Sequence, residues 1–289
     1  MKNALFTGVG TALVTPFLEG KINDPLVKIL LNRQREAGVS AVILAGTTGE
    51  SATLTDEEKL ELFRIGKETV GGEMRIIAGT GSNDTRHAVA LSIAAQDAGA
   101  DALLVVSPYY NKATPDGLVA HYTAIAQAVD IPVILYNVPG RTGLDMPVSV
   151  YARLAHIPNI AGVKEASCDI GKILRIRSEC PKDFCVWAGN DHMTVPAISL
   201  GCQGVISVLS NLFPEQMNLM TLSALNGDFE TAAGLQCRML PWTDYLFSEV
   251  NPIPVKAALA KLGYDCGVGR LPLTPLSPAR EKDLEQLLS

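Results

Sequence analysis

Residues 161–166, Ala-Gly-Val-Lys-Glu-Ala, set a lysine inside an otherwise apolar segment with strand character. Alternation along a strand puts Ala161 and Val163 on one face and Gly162, Lys164 and Ala166 on the other. A full-length ammonium is costly to bury without a partner. Three readings compete: Lys164 snorkels, it is ion-paired, or it is kept for chemistry. Glu165 is a poor partner, because consecutive strand residues point to opposite faces. Desolvation favours the neutral form of a buried lysine. A neutral amine in a dry pocket is what Schiff-base formation on a carbonyl requires. Chemistry is the preferred reading.

Other groups able to join such chemistry stand at the ends of neighbouring apolar runs. Tyr136 closes one of them, and its phenol could relay protons at a carbinolamine; the alternative is a core tyrosine whose hydroxyl meets a backbone group. Thr47 and Thr48 lie in Gly-Thr-Thr-Gly-Glu-Ser (46–51), where hydroxyls and backbone amides suit a carboxylate, or form no more than a turn and a cap. Arg141, in Pro-Gly-Arg-Thr-Gly, can grip a carboxylate bidentately or stand solvated in its loop. His192, after Ala-Gly-Asn-Asp, fits a supporting or surface role better than catalysis.

The elements that must position these groups follow from a repeat of pattern. Apolar, β-branched runs occur at 8–14, 39–46, 75–80, 101–107, 132–138, 160–166, 185–189 and 203–208, with helical spacing between them. Lys164 is the only lysine within any of these runs. In 55–70, Thr55 and Glu58 make a capping box, and Leu62, Phe63, Gly66 and Val70 make one apolar face. Pro147 is expected at the first position of another helix. Near-continuous apolar strands alternating with helices indicate a parallel sheet covered on both sides. Eight such units predict a closed (β/α)8 (TIM) barrel over residues 1–226. An open doubly wound sheet is disfavoured, since Asp84 and Leu13 stand where the third glycine of a dinucleotide fingerprint belongs. Asn226-Gly227 reads as a helix stop, and patterns near 228–247, 254–262 and 277–288 predict a helical extension over 227–289. In such a barrel the site lies at the C-terminal ends of the strands, which is where the groups above fall.

The bulk properties narrow the partners. The chain has 289 residues, is 47% hydrophobic and carries a formal net charge of −6. That charge, without a Lys/Arg run, argues against nucleic acid. No run approaches the roughly 18 apolar residues of a membrane span, and Gly8, Gly10 and Pro16 interrupt the N-terminal stretch. A cytoplasmic enzyme is expected. The six cysteines are scattered and apart from the four histidines, so neither a metal site nor a disulfide framework is expected.

With these motifs assembled, the chain resembles the dihydrodipicolinate synthase family of pyruvate-dependent class I aldolases, whose superfamily includes N-acetylneuraminate lyase. The resemblance runs nearly end to end, from GVGTALVTPF through GTTGES, AGTGSN, SPYYNK, ILYNVPGRTG, GVKEAS and GVISV to NPIPVK. GVKEAS and YNVP mark the superfamily; GTTGES, PYYNK and VPGRTG together are more specific. The resemblance implies that pyruvate forms a Schiff base on Lys164 with no other cofactor, and that the derived enamine attacks L-aspartate 4-semialdehyde. It implies a proton relay of Thr47, Tyr136 and Tyr110, with Tyr110 reaching into a partner's site. It also implies Thr48 at the pyruvate carboxylate, Arg141 at the semialdehyde carboxylate, and the Ile206 carbonyl facing the lysine. A homotetramer built as a dimer of tight dimers is implied too. The competing readings are an aldolase acting on a 2-keto-3-deoxy sugar acid and a catalytically silent barrel. Arg141 and Tyr110 favour a small acidic aldehyde, and the full set of lysine, tyrosines and threonines disfavours a silent barrel.

Inhibited family members bind L-lysine at positions that align with Ser51, Ala52, Asp56, Lys59, Asn83, His87 and Tyr109. Ser51, Ala52, Asn83 and Tyr109 match the inhibited pattern. Lys59 and Asp56 replace histidines, and His87 replaces a glutamate that meets the effector's α-ammonium. A lost charge-assisted bond and an added cation, partly offset by Asp56, together weaken binding by about 2–5 kcal/mol. Near-insensitivity to lysine is expected.

Overall fold

Strands rich in Val, Ile and Leu on both faces must be covered on both sides, by helices in an open sheet or by a packed interior and a coat of helices in a barrel. A computed structural model of the chain, which describes residues 4–289, has the barrel architecture. The strands are β1 (Gly8–Ala12), β2 (Ala41–Leu44), β3 (Arg75–Gly79), β4 (Ala102–Val106), β5 (Val133–Asn137), β6 (Ile160–Glu165), β7 (Cys185–Ala188) and β8 (Gly204–Ser207). All pair in parallel with their neighbours, and β8 returns to β1 to close the barrel.

Alternation sorts the strand residues into two cores. Ala41, Ile43, Ile77, Leu104, Ile134, Trp187 and Ile206 fill the interior, while Val9, Val42, Ile76, Leu103, Val163 and Val205 face the helices. Phe6 stacks on Trp187 with ring centroids 4.9 Å apart and forms part of the interior packing. Gly162 lets β6 lie close to β7: a Cβ there would sit 2.0 Å from the Cys185 carbonyl oxygen.

The coat consists of α1 (Asp24–Glu36), α2 (Asp56–Val70), α3 (Thr85–Asp97), α4 (Pro115–Gln127), α5 (Val148–Leu154), α6 (Ile170–Glu179), α7 (Thr194–Ser199) and α8 (Pro214–Leu225). The capping box forms as expected: Thr55 Oγ1 accepts from the Glu58 amide and Glu58 Oε2 from the Thr55 amide. Leu62, Phe63, Gly66 and Val70 are buried on one side of α2. Pro147 differs from expectation. It has extended backbone, ψ 146°, and serves as the N-cap of α5 rather than its first helical residue. A small hairpin, Phe17–Leu18 with Lys21–Ile22, was not foreseen. Its two-residue turn, Glu19-Gly20, has positive φ at both positions, the geometry that matches strand twist, but strands this short carry no periodic signal.

After α8 the chain turns at Gly227, φ +86°, into α9 (Phe229–Leu246), α10 (Ile253–Lys261) and α11 (Pro278–Leu288). Among the described residues no helix is long and apolar enough to cross a membrane.

Candidate active site

The inward alternation of β6 turns Lys164 into the barrel, where it is 5% exposed. Tyr136 on β5 is its register partner. Lys164 Nζ lies 4.4 Å from the centre of the Tyr136 ring. Glu165 points the other way, as alternation requires. Its carboxylate accepts from Asn137 Nδ2 at 2.9 Å, the Tyr151 hydroxyl at 3.0 Å and the Ser167 amide at 2.9 Å. Lys172 of α6 lies 3.8 Å from Glu165 and also pairs with Asp145. This outer network fixes the end of β6 while leaving the inward lysine outside every ion pair among the described residues.

One further acid lies near the lysine. Asp191, after β7, is 2% exposed, and its Oδ2 accepts from the Val208 and Leu209 amides, each at 3.1 Å. Burial pushes its carboxyl above the usual range, partly countered by Ser207, those two amides and the charge of Lys164. Its neighbour His192 is exposed.

A cavity of about 530 Å³ opens at this end of the barrel. Thr47, Tyr136 and Arg141 line it, together with Asn251 and Pro252 at the start of α10. Lys164 is buried beside Tyr136 and lies outside the lining. Thr48 is 2% exposed and also lies outside the lining, with Asn251 Nδ2 donating to its hydroxyl at 2.9 Å. Arg141, in the single helical turn Pro139–Thr142, donates to the Asn251 carbonyl at 3.1 Å. Ile206 is fully buried in the interior on β8.

The Thr47–Thr48 loop is anchored from the C-terminal helices. Glu50, 4% exposed, takes a 2.7 Å bond from the Lys256 ammonium and a 2.9 Å bond from the Arg270 amide. The Arg270 guanidinium grips Glu58 at 2.7 and 2.5 Å. Burial lowers the Lys256 ammonium from the ordinary lysine value, and Glu50 works against that shift. None of these C-terminal contacts was anticipated. The only signal was the NPIPVK motif, which contains Asn251 and Lys256.

The cavity continues past Ser51 and Ala52 to Asp56, Lys59, His87 and Tyr109. His87 Nε2 lies 2.7 Å from Asp56 Oδ2, Lys59 Nζ 3.4 Å from Asp56 Oδ1, and His87 Nδ1 3.2 Å from the Ser82 hydroxyl. Burial would raise the Asp56 carboxyl, but the His87 bond and the charges of Lys59 and His87 outweigh it and hold it below the usual range. Asn83 borders this region and donates to the Tyr109 carbonyl at 3.2 Å. Tyr110 stands apart. It lies outside the lining, 92% exposed, with a left-handed backbone at φ +70°.

A buried lysine against a tyrosine, at the C-terminal end of a parallel barrel, restricts the families that fit. The model of the Dihydrodipicolinate synthetase family matches residues 5–289. The chain belongs to this family. Among its members, the 4-hydroxy-tetrahydrodipicolinate synthase of Thermoanaerobacter sp. (strain X514) is 48% identical over 286 residues, covering 99% of this chain and 95% of the relative. A dihydrodipicolinate synthase structure from Cyanidioschyzon merolae with lysine bound superposes with a TM-score of 0.96 at 42% identity, covering 99% of this chain and 98% of that one. The chloride-inhibited enzyme of Acinetobacter baumannii, complexed with pyruvate, gives a TM-score of 0.95 at 40% identity, with 98% of both chains covered.

Proposed function

We propose that this dihydrodipicolinate synthetase family member condenses pyruvate with L-aspartate 4-semialdehyde to 4-hydroxy-tetrahydrodipicolinate, a step of lysine and diaminopimelate biosynthesis. The observation that carries the mechanism is Lys164, turned into the barrel, free of ion pairs among the described residues and set against Tyr136. The Lys164 amine attacks the pyruvate ketone, and the carbinolamine loses water to give an iminium. Loss of a methyl proton gives the enamine, whose carbon attacks the semialdehyde. The substrate's own amine then displaces Lys164 and closes the ring. Tyr136 and Thr47, which share the cavity lining, relay protons with Tyr110 supplied by a partner subunit. The exposure of Tyr110 in its own chain supports that role in trans, within a tight dimer of a homotetramer. Thr48 serves the pyruvate carboxylate, Arg141 the semialdehyde carboxylate, and the Ile206 carbonyl faces the lysine. No cofactor beyond the covalent pyruvate is needed. Six free thiols favour a reducing compartment such as the cytoplasm.

The positions aligned with the family's lysine site serve poorly for that effector here. Asp56 is shared between Lys59 and His87, so it offsets the charge of Lys59 only in part and leaves no free carboxylate in place of the lost glutamate.

Borohydride reduction in the presence of pyruvate tests the central step. One adduct is expected, on the peptide containing Lys164, and a reductase-coupled assay with both substrates should show turnover. An adduct on Lys112 or Lys256 instead would overturn the assignment.

A further inference from the structure

Asn251 is where the C-terminal helical part enters the site. Its side chain is bonded to Thr48 in the loop after β2, and its backbone carbonyl to Arg141 in the loop after β5. It lines the cavity, is 5% exposed, and its Oδ1 has no hydrogen-bond partner. One residue thus touches a group from each of two loops, both assigned above to substrate carboxylates.

A threonine hydroxyl has one proton and two lone pairs. Left alone in a turn, it usually spends that proton on a nearby carbonyl. The neighbours do so: Thr15 donates to the Gly49 carbonyl at 2.7 Å and Thr53 to the Glu50 carbonyl at 3.1 Å. Thr48 differs. Its oxygen accepts the Asn251 amide hydrogen, which turns its own proton away from Asn251, and among the described residues no protein acceptor takes it.

We propose that Asn251 is a positioning residue for the pyruvate step, its side-chain amide holding the Thr48 hydroxyl as a donor to the substrate carboxylate. Its backbone carbonyl steadies Arg141 separately. The inference rests on the Schiff-base reading of Lys164 and on Thr48 as the carboxylate partner.

Substitution at 251 removes the first contact and keeps the second, so the two substrates report different things. In Asn251→Ala the pyruvate concentration for half-maximal borohydride trapping, and the KM for pyruvate, should rise about fivefold to tenfold, the effect of one neutral hydrogen bond. The KM for the semialdehyde should not change. Thr48→Val should raise the pyruvate constants similarly, and adding Asn251→Ala to it should change nothing more, because both act through one bond. Asn251→Asp keeps the shape but accepts the Thr48 proton, so it should behave like Asn251→Ala even if the alanine variant folds poorly. Three results would overturn the inference: unchanged pyruvate constants in both Asn251 variants, equal shifts for both substrates, or multiplying effects of the Thr48 and Asn251 changes. Failure of the unsubstituted chain to form the Lys164 adduct overturns the Schiff-base reading, and this inference with it.

Discussion

Histidine 121 shows at the scale of one residue how burial becomes a pH dependence. It lies on α4, 4% exposed, with Nδ1 2.9 Å from the Thr85 hydroxyl and Nε2 unpartnered. Burial pushes its pKa down from 6.5 to about 4. The folded ring therefore stays neutral while the unfolded ring takes a proton as pH falls below 6.5. Between those values the unfolded state binds more protons, so stability drops as pH drops, by about 3 kcal/mol once both values are passed. The carboxyls of Asp56, Glu58 and Asp145 are held below their usual range, so their losses come at lower pH. Urea unfolding of the parent and of His121→Gln between pH 7 and 4.5 separates the terms. The parent should lose stability across this range while the variant stays flatter; parallel curves would remove His121 from the account.

At the scale of elements, the placement of Lys164 depends on how closely β6 lies against β7. A methyl group at Gly162 would collide with the Cys185 carbonyl oxygen. Gly162→Ala should cost about 1–3 kcal/mol in overpacking and slow borohydride trapping at Lys164. Lys164→Ala should abolish trapping with the melting temperature maintained, because it removes a polar group from an apolar interior. Thermal melts beside trapping rates test both. The strands were legible because burial on both faces leaves uninterrupted apolar runs, and Lys164 because it breaks one of them. The outward face of Glu165 followed from alternation alone. Contacts between Asn251 and Thr48, or between Lys256 and Glu50, were not legible, since no periodicity links residues 203 and 206 positions apart. The Glu19-Gly20 hairpin was too short to register, and Pro147 suits an N-cap as well as a first helical turn.

The whole molecule raises the question of subunits, because Tyr110 points out of its own chain. Random pairing of Tyr110→Phe with Lys164→Ala chains should restore about a quarter of the sites, measured as turnover in remixed oligomers; a mixture no more active than its parts would argue against a shared site. Initial rates should also hold at lysine concentrations that inhibit sensitive family members, and strong sub-millimolar inhibition would show that Lys59 and His87 have been misread. Chain connectivity has a further result in time. β1 meets β8, and Glu50 bonds to Arg270 across 220 positions. A ribosome adding roughly 5–20 residues each second therefore presents the Thr47–Thr48 loop for tens of seconds before its anchors exist. Until β8 emerges, within that interval, β1 has an open strand edge able to join another chain. The nascent protein is most at risk of sticking then, and shielding by chaperones has its greatest effect before Lys256 and Arg270 emerge.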